Sequence, residues 1–232
     1  MEDRMTAGLY LELGDVDPEA YAARRAPDLL ARAGVERVSW WANNVPGRDE
    51  LPMAVVDGAL LGVAEVTGDF VAPEALAGTT AQHFRRFPRP SQGILSGEPT
   101  TGLLVVWLSP QSAEQAQAVR DWGDFVHIRH IAAAGLPGFT QITPYENADA
   151  TTTGTGPRFM HFYELDAEDP EAAYLAMARH MAKYFGGSRT RAFEVWADWK
   201  AAGAQVMYCN TFRLLGSARD VADVPAPGRE AP

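Results

Sequence analysis

The sequence predicts an α+β protein built from two tandem ferredoxin-like βαββαβ units, whose antiparallel sheets pack face to face within one chain as an intrachain dimeric α/β barrel. Three observations predict it. Apolar residues switch between the two-residue period of strands and the longer period of helices, in the same order in each half. The letters Val63-Ala64-Glu65-Val66 leading to Pro73-Glu74-Ala75 are echoed by Phe162-Tyr163-Glu164-Leu165 leading to Pro170-Glu171-Ala172. A βαββαβ sheet carries helices on one face only, so its other face needs cover, which a second such unit in the same chain supplies.

In the first half, residues 9–13 read as a strand, and Asp17-Pro18 is a helix-start signal for a helical pattern over 19–33 closed by Gly34. Residues 35–42 (VERVSWWA) alternate as a strand, and a Pro/Gly/Asp-rich loop over 43–57 leads to a third strand over 60–66. Pro73 opens a second helix expected to reach Phe87, with a short fourth strand at 93–95. The second half starts with a strand at 103–108, followed by a helix from Ser109-Pro110 to about Ala134 that is broken at residues 135–138 (GLPG). Strands at 139–145 and 158–165 flank a Thr/Gly-rich loop, Asp169-Pro170 opens another helix, and a strand over 206–214 closes the unit. Residues 188–203 exceed the minimal unit and predict an added helix at the sheet's rim. The repeats therefore run 1–97 and 102–215, and the Ala/Pro/Asp-rich tail 216–232 lacks periodicity and is expected to be disordered.

Composition narrows the partners. The chain has 232 residues, 47% of them hydrophobic, enough to bury a core. Its formal charge of −10 repels phosphate backbones and anionic headgroups, which speaks against nucleic acid and membrane surfaces. The lone Cys209 cannot form an internal disulfide, and no leader-like or membrane-spanning stretch is evident, so a cytoplasmic protein is expected. The internal pairing predicts a monomer or a homodimer.

Letters of the second half resemble a known family. Asp124, Phe125 and His130, then Leu136-Pro137-Gly138-Phe139, Tyr145, Pro157-Arg158-Phe159 and Phe162-Tyr163-Glu164-Leu165 look like the EthD-like branch of the dimeric α/β barrel superfamily. The resemblance covers about 103–214; where it has Arg129-His130-Ile131, the first half reads Ala26-Pro27-Asp28-Leu29 and lacks a histidine. An asymmetric site is implied, with acid/base groups from the second half and walls from the first. Related barrels include cofactor-free monooxygenases, cyclases, dehydratases, isomerases and some haem proteins.

Asp124, His127 and His130 recur at three-residue spacing along the predicted helix. A carboxylate that accepts from one imidazole nitrogen leaves the other to act as general base, so His130 oriented by Asp124, with His127 as auxiliary, is the candidate catalytic group. Tyr145, His161, Tyr163, Trp41, Trp107 and Asn43 are the candidate substrate-binding residues: an aromatic lining with few polar groups suits a flat, hydrophobic or aromatic small molecule. In the strand carrying His161 and Tyr163 both faces are partly aromatic, so periodicity leaves open which one looks inward. No metal is expected, because two histidines supply part of a site and no HExxH or paired CxxC is present. The function that follows is a cofactor-independent acid/base enzyme of the lyase, dehydratase, cyclase or isomerase type, acting on a molecule bound in the barrel. The alternatives are a cofactor-free monooxygenase of a phenolic or polyketide substrate, a non-catalytic hydrophobic-ligand-binding barrel, and a haem protein using His130 or His180 as axial ligand.

Overall fold

Asp17-Pro18 starts a helix as the sequence predicts: the Asp17 carboxylate accepts from Ala20 N at 2.8 Å, and Pro18 sits in the first turn, where no amide donor is needed. The computed structural model describes residues 6–49, 55, 57–149 and 156–224. Its strands are β1 (Gly8–Gly14), β2 (Val35–Asn43), β3 (Leu60–Val66), β4 (Thr79–Arg86), β5 (Gly102–Pro110), β6 (Phe139–Asn147), β7 (Phe159–Leu165) and β8 (Ala204–Ala218). Helix α1 covers residues 18–30, α2 residues 113–134, α3 Pro170–Tyr184 and α4 Arg191–Ala197. Asp169 caps α3 by accepting from Ala172 N at 3.0 Å, and Thr190 Oγ1 caps the predicted extra helix α4 by accepting from Phe193 N at 3.2 Å. Gly135 ends α2 in the left-handed conformation at φ 60°.

All eight strands pair antiparallel into one closed ring, β1-β3-β2-β8-β5-β7-β6-β4. Within it the first half runs β4-β1-β3-β2 and the second β8-β5-β7-β6, the same order. Their outer strands meet at two seams. β2 pairs with β8 from Val38 opposite Ala218 to Asn43 opposite Phe212, whereas β4 meets β6 only between Phe84 opposite Asn147 and Arg86 opposite Tyr145. Closure gives each of these strands a neighbour on both sides, which limits the edge liability of an open sheet.

Two sequence expectations are corrected. The helix expected from Pro73 to Phe87 is absent: residues 79–86 form β4, and residues 93–95 are not a strand. The β-branched pair Thr79-Thr80 follows Gly78 at φ 83°, a conformation helices do not use, and β4 is the strand that closes the ring between β1 and β6. An irregular segment takes the missing helix's place over the sheet, organised by the buried carboxylate of Glu12. Glu12 accepts from Leu76 N at 3.0 Å, Tyr10 OH at 3.2 Å, Tyr21 OH at 3.3 Å and Arg25 Nη2 at 2.6 Å. Arg25, largely shielded from solvent, is thus the charged partner of Glu12. The second correction concerns the tail, since residues 216–218 belong to β8 and Val221–Asp223 form a 3-10 turn; residues 225–232 lie outside the described part.

Side chains sort into three buried clusters. Leu9, Leu11, Trp41, Phe84, Trp107, Tyr145, Met160, Phe162, Tyr208 and Phe212 fill the lumen. Tyr10, Tyr21, Leu29, Val38 and Trp40 pack beneath α1, so the neighbouring tryptophans Trp40 and Trp41 face opposite sides of the sheet. Leu104, Val119, Ile128, Phe159, Tyr163, Met181, Trp196 and Cys209 pack beneath α2, α3 and α4. In β7 the even residues therefore look in and the odd residues look out, the point that periodicity left open.

Candidate functional site

The lumen holds three residues expected to bind substrate: Trp41, Trp107 and Tyr145. Trp107 Nε1 lies 3.3 Å from Met160 Sδ, and its ring is 5.0 Å from that of Tyr208. Trp41 Nε1 donates to Ser39 Oγ at 2.8 Å. Burial pushes the Tyr145 phenol above its ordinary range, and its hydroxyl sits 3.5 Å from Thr6 Oγ1. Among the described residues, this filling leaves a cavity of about 20 Å³ between Trp41, Tyr145, Ser39, Thr143, Glu65 and Glu164. That is room for about one water molecule. The expectation of a substrate inside the barrel is corrected on this ground: the walls meant to surround it pack against one another.

Asp124, Arg120 and His161 form a buried polar network between α2 and β7. Asp124 Oδ1 lies 3.3 Å from His161 Nε2 and 3.5 Å from Arg120 Nη1, while Oδ2 accepts from Arg89 Nη1 at 2.9 Å. Arg120 also donates to the Tyr145 carbonyl at 2.7 Å, with its guanidinium 3.9 Å from the Phe87 ring centre and 4.2 Å from that of Phe159. Burial acts to raise the Asp124 carboxyl, but the His161 hydrogen bond and the two guanidinium groups outweigh it and hold it below its usual range. Burial lowers Arg120 to about 10, and it lowers His161 against the opposing pull of Asp124. Gly123 permits the arrangement, since a Cβ there would lie 2.8 Å from His161 Cε1.

The predicted Asp124–His130 pair does not form. Residues Gly123–His127 are a π-turn, which disturbs the α-helical register and sends the three side chains to different neighbours. Asp124 faces β7. His127 stacks on Trp196 of α4 at 5.1 Å and 7°, with Nδ1 3.1 Å from the Trp196 carbonyl; burial lowers it to about 4. His130 lies against Phe185 and Tyr184 at the end of α3, at 5.0 and 6.0 Å, and burial lowers it too. His161 and Tyr163, expected at the substrate, point away from the lumen under the helices, where burial raises the Tyr163 phenol. Asn43 braces a loop: it donates to Asp57 Oδ1 and to the Gly58 carbonyl, both at 2.8 Å. Tyr208 OH meets the same Asp57 oxygen at 2.6 Å.

A roomier site lies outside the barrel. A cleft of about 450 Å³ opens between the turn after α2, the end of β7 and α3, lined by Leu136, Pro137, Ala167, Ala173 and Met177, with Asp166 and His180 as its titratable groups. Gly138 makes this wall possible: at φ 82° it brings the turn so close that an added Cβ would lie 2.7 Å from Ala167 Cβ. His180 Nε2 donates to the Ala134 carbonyl at 3.3 Å, one of the carbonyls left open at the C-terminus of α2. That bond fixes the proton on Nε2 and leaves Nδ1 as the acceptor in the neutral ring.

No family model and no curated protein matches the chain. Solved structures do. An anthrone oxidase-like protein superposes with a TM-score of 0.55 at 13% identity, over 98% of this chain and 99% of that one. A candidate monooxygenase from Fusobacterium nucleatum gives 0.52 at 7% identity, over 93% and 95%. A major regulator of staphylococcal pathogenesis gives 0.50 at 9% identity, over 89% and 98%. The chain has the dimeric α/β barrel fold. Dimeric α/β barrels of such different descriptions share the ring and not a reaction, so function has to be argued from the residues.

In this dimeric α/β barrel the described residues contain no cluster of three or more His, Cys, Asp or Glu side chains able to hold a metal ion. Of the two histidines considered for haem, His180 bonds the Ala134 carbonyl through Nε2 and His130 faces the rings of Phe185 and Tyr184. No described helix is long and apolar enough to cross a membrane. The sequence offers His180 only as an alternative haem ligand, outside the Asp124–His130 stripe, and does not single out Asp166. The available signal was the Leu136-Pro137-Gly138 turn, whose tight geometry builds one wall of the cleft.

Proposed function

We propose that the protein is a cofactor-independent enzyme that moves a proton on a flat, hydrophobic, hydroxylated or aromatic molecule held in the outer cleft, with His180 as the base. The observation that carries the proposal is the convergence, on a cleft of about 450 Å³, of the Leu136-Pro137-Gly138 turn, the residues just after the Phe162–Leu165 stretch, and an imidazole whose tautomer is set by a helix-terminal carbonyl. An apolar lining with few polar groups is what a small aromatic ligand requires. A histidine with one nitrogen engaged and the other available is the usual general base near neutrality.

Proton removal beside a carbonyl opens dehydration, cyclisation, isomerisation and lyase cleavage. In an electron-rich phenolic or enolic substrate, the resulting carbanion also reacts with dioxygen directly. The name of the anthrone oxidase-like neighbour favours trying that variant first. The same reading takes residues 1–97 and 102–215 as two ferredoxin-like repeats, 103–214 as the EthD-like one, and the protein as a cytoplasmic monomer or homodimer.

The test uses anthrone, whose C10 methylene protons are acidic. Deuterium uptake at C10 in D2O reads the proton step, and dioxygen consumption with anthraquinone and water as products reads the oxygenation. Wild-type protein is expected to accelerate C10 exchange, His180→Ala to lose that acceleration, and His130→Ala to keep it. Undiminished exchange by His180→Ala, or no acceleration by the wild type on anthrone and a panel of phenolic ketones, overturns the proposal.

A further inference from the structure

Beside the cleft runs a segment that the proposed reaction has not used. Residues 93–97 (GILSG) connect the two halves, and their two aliphatic side chains face solvent, Ile94 at 66% and Leu95 at 53% exposure. Single exposed aliphatics are ordinary on a protein surface, but an adjacent pair next to an apolar cleft is not dispersed.

The segment is held at its ends and loose between them. Gln92 N donates to the Ile142 carbonyl at 2.9 Å and Ile142 N returns a bond to the Gln92 carbonyl at 2.7 Å; beyond the segment, Thr101 N donates to the Leu165 carbonyl at 2.9 Å. Among the described residues, residues 93–97 take part in a single hydrogen bond, Glu98 N to Ser96 Oγ at 3.2 Å. Glycines stand at both ends in conformations that L side chains rarely adopt, Gly93 at φ 151° and Gly97 at φ 91°. Gly93 is pinned, since a Cβ there would lie 2.2 Å from the Thr140 carbonyl oxygen, whereas no atom lies within 4 Å of a Cβ at Gly97. One end is a fixed pivot and the other has open space around it.

Ile94 lies beside the turn that continues into the cleft wall. Its Cδ1 is 3.9 Å from where a Cβ on Gly135 would sit, between Ala134, whose carbonyl holds His180, and Leu136, which lines the cleft. We infer that residues 93–97 form a lid whose Ile94 and Leu95 side chains fold over the occupied cleft and make its remaining wall, so that they select apolar over polar ligands. The inference rests on the proposed use of that cleft. Closure removes both side chains from water and shields the His180 end of the cleft, where a proton in transit would otherwise exchange with solvent.

The test uses the full chain and the neutral dye Nile red. Three quantities are read: dye affinity by fluorescence titration, the 13C-methyl shift of Met177 as a reporter of the cleft, and amide exchange of residues 93–97 with and without dye. The expected result is a shifted Met177 methyl, slower exchange over 93–97, and affinity weakened by roughly tenfold in Ile94→Ser/Leu95→Ser, about what losing part of one buried aliphatic side chain gives. A shifted Met177 methyl without slower exchange, or without weakened affinity, overturns the lid and leaves the cleft standing. An unmoved Met177 methyl overturns both. Nile red offers no acidic C–H to the cleft, so these three quantities read binding and closure alone, and a failure of the catalytic reading appears in the anthrone assay and not here.

Discussion

Replacing Asp124 by alanine separates a structural carboxylate from a catalytic one. Asp124 is 1% exposed and receives Arg89 Nη1 at 2.9 Å, His161 Nε2 at 3.3 Å and Arg120 Nη1 at 3.5 Å. Its removal strands the Arg120 guanidinium, itself 2% exposed, with the Tyr145 carbonyl and the Phe87 and Phe159 rings as remaining neighbours. Breaking one side of a buried pair costs about 3–5 kcal/mol, most of it the uncompensated charge. The ring contacts and the carbonyl bond offset part of that, which points to the lower end, about 3 kcal/mol. For a domain of this size that lowers the melting temperature by roughly 6–12 °C, and urea titration followed by far-UV circular dichroism gives the free energy directly. Arg120→Met/Asp124→Leu is expected to recover most of the loss, because it removes both charges together. The acid limb supplies a second reading. The folded-state carboxyl is held below its ordinary value, so its contribution is fully present above about pH 4 and disappears as pH falls through the lowered value. A loss below about 1 kcal/mol in Asp124→Ala, or a double variant no more stable than the single one, refutes the reasoning.

Further expectations follow from the same physical terms. Burial lowers His127 to about 4 from an ordinary 6.5, so the group is neutral in both states above pH 6.5 and its contribution is lost as pH falls toward 4. The full loss is at most about 3 kcal/mol, and His127→Phe, which keeps a ring against Trp196, is expected to flatten the stability profile between those pH values. Gly62→Ala would put a Cβ 1.9 Å from Tyr21 Oη and displace that hydroxyl from Glu12; a loss of about 2–3 kcal/mol is expected in chemical denaturation. In turnover, His180→Ala is expected to lose acid/base activity at unchanged stability, while His130→Ala changes neither by more than a small factor.

Much of the fold is legible because strand alternation, the Asp-Pro helix starts and the Gly135 stop act locally. β4 is not legible in the same way. Its letters, TTAQHFRR, include good helix formers, and its strand state is imposed by the need to close a ring whose other edges lie far away in sequence. The candidate site was legible only in part. In β7 both faces are apolar because the lumen and the helices each demand it, so alternation cannot say which way His161 and Tyr163 point. The Asp124–His127–His130 stripe requires an ideal α-helix, and the π-turn at Gly123–His127 removes that premise. His161 meets Asp124 instead, through a contact between β7 and α2 for which the sequence carries no local marker.

The two seams that close the ring are unequal, and this gives the molecule a direction in which to breathe. β2 and β8 are zipped along Val38 to Asn43, while β4 and β6 are joined only from Phe84 to Arg86. A thermal fluctuation that parts the halves will start at the short zip and turn about the long one, like a shell opening on its ligament. Tyr145, at the edge of the small lumen cavity, is paired within the short zip. Water therefore reaches the lumen from that side first, and the last place to fray is the strand pair carrying Trp41.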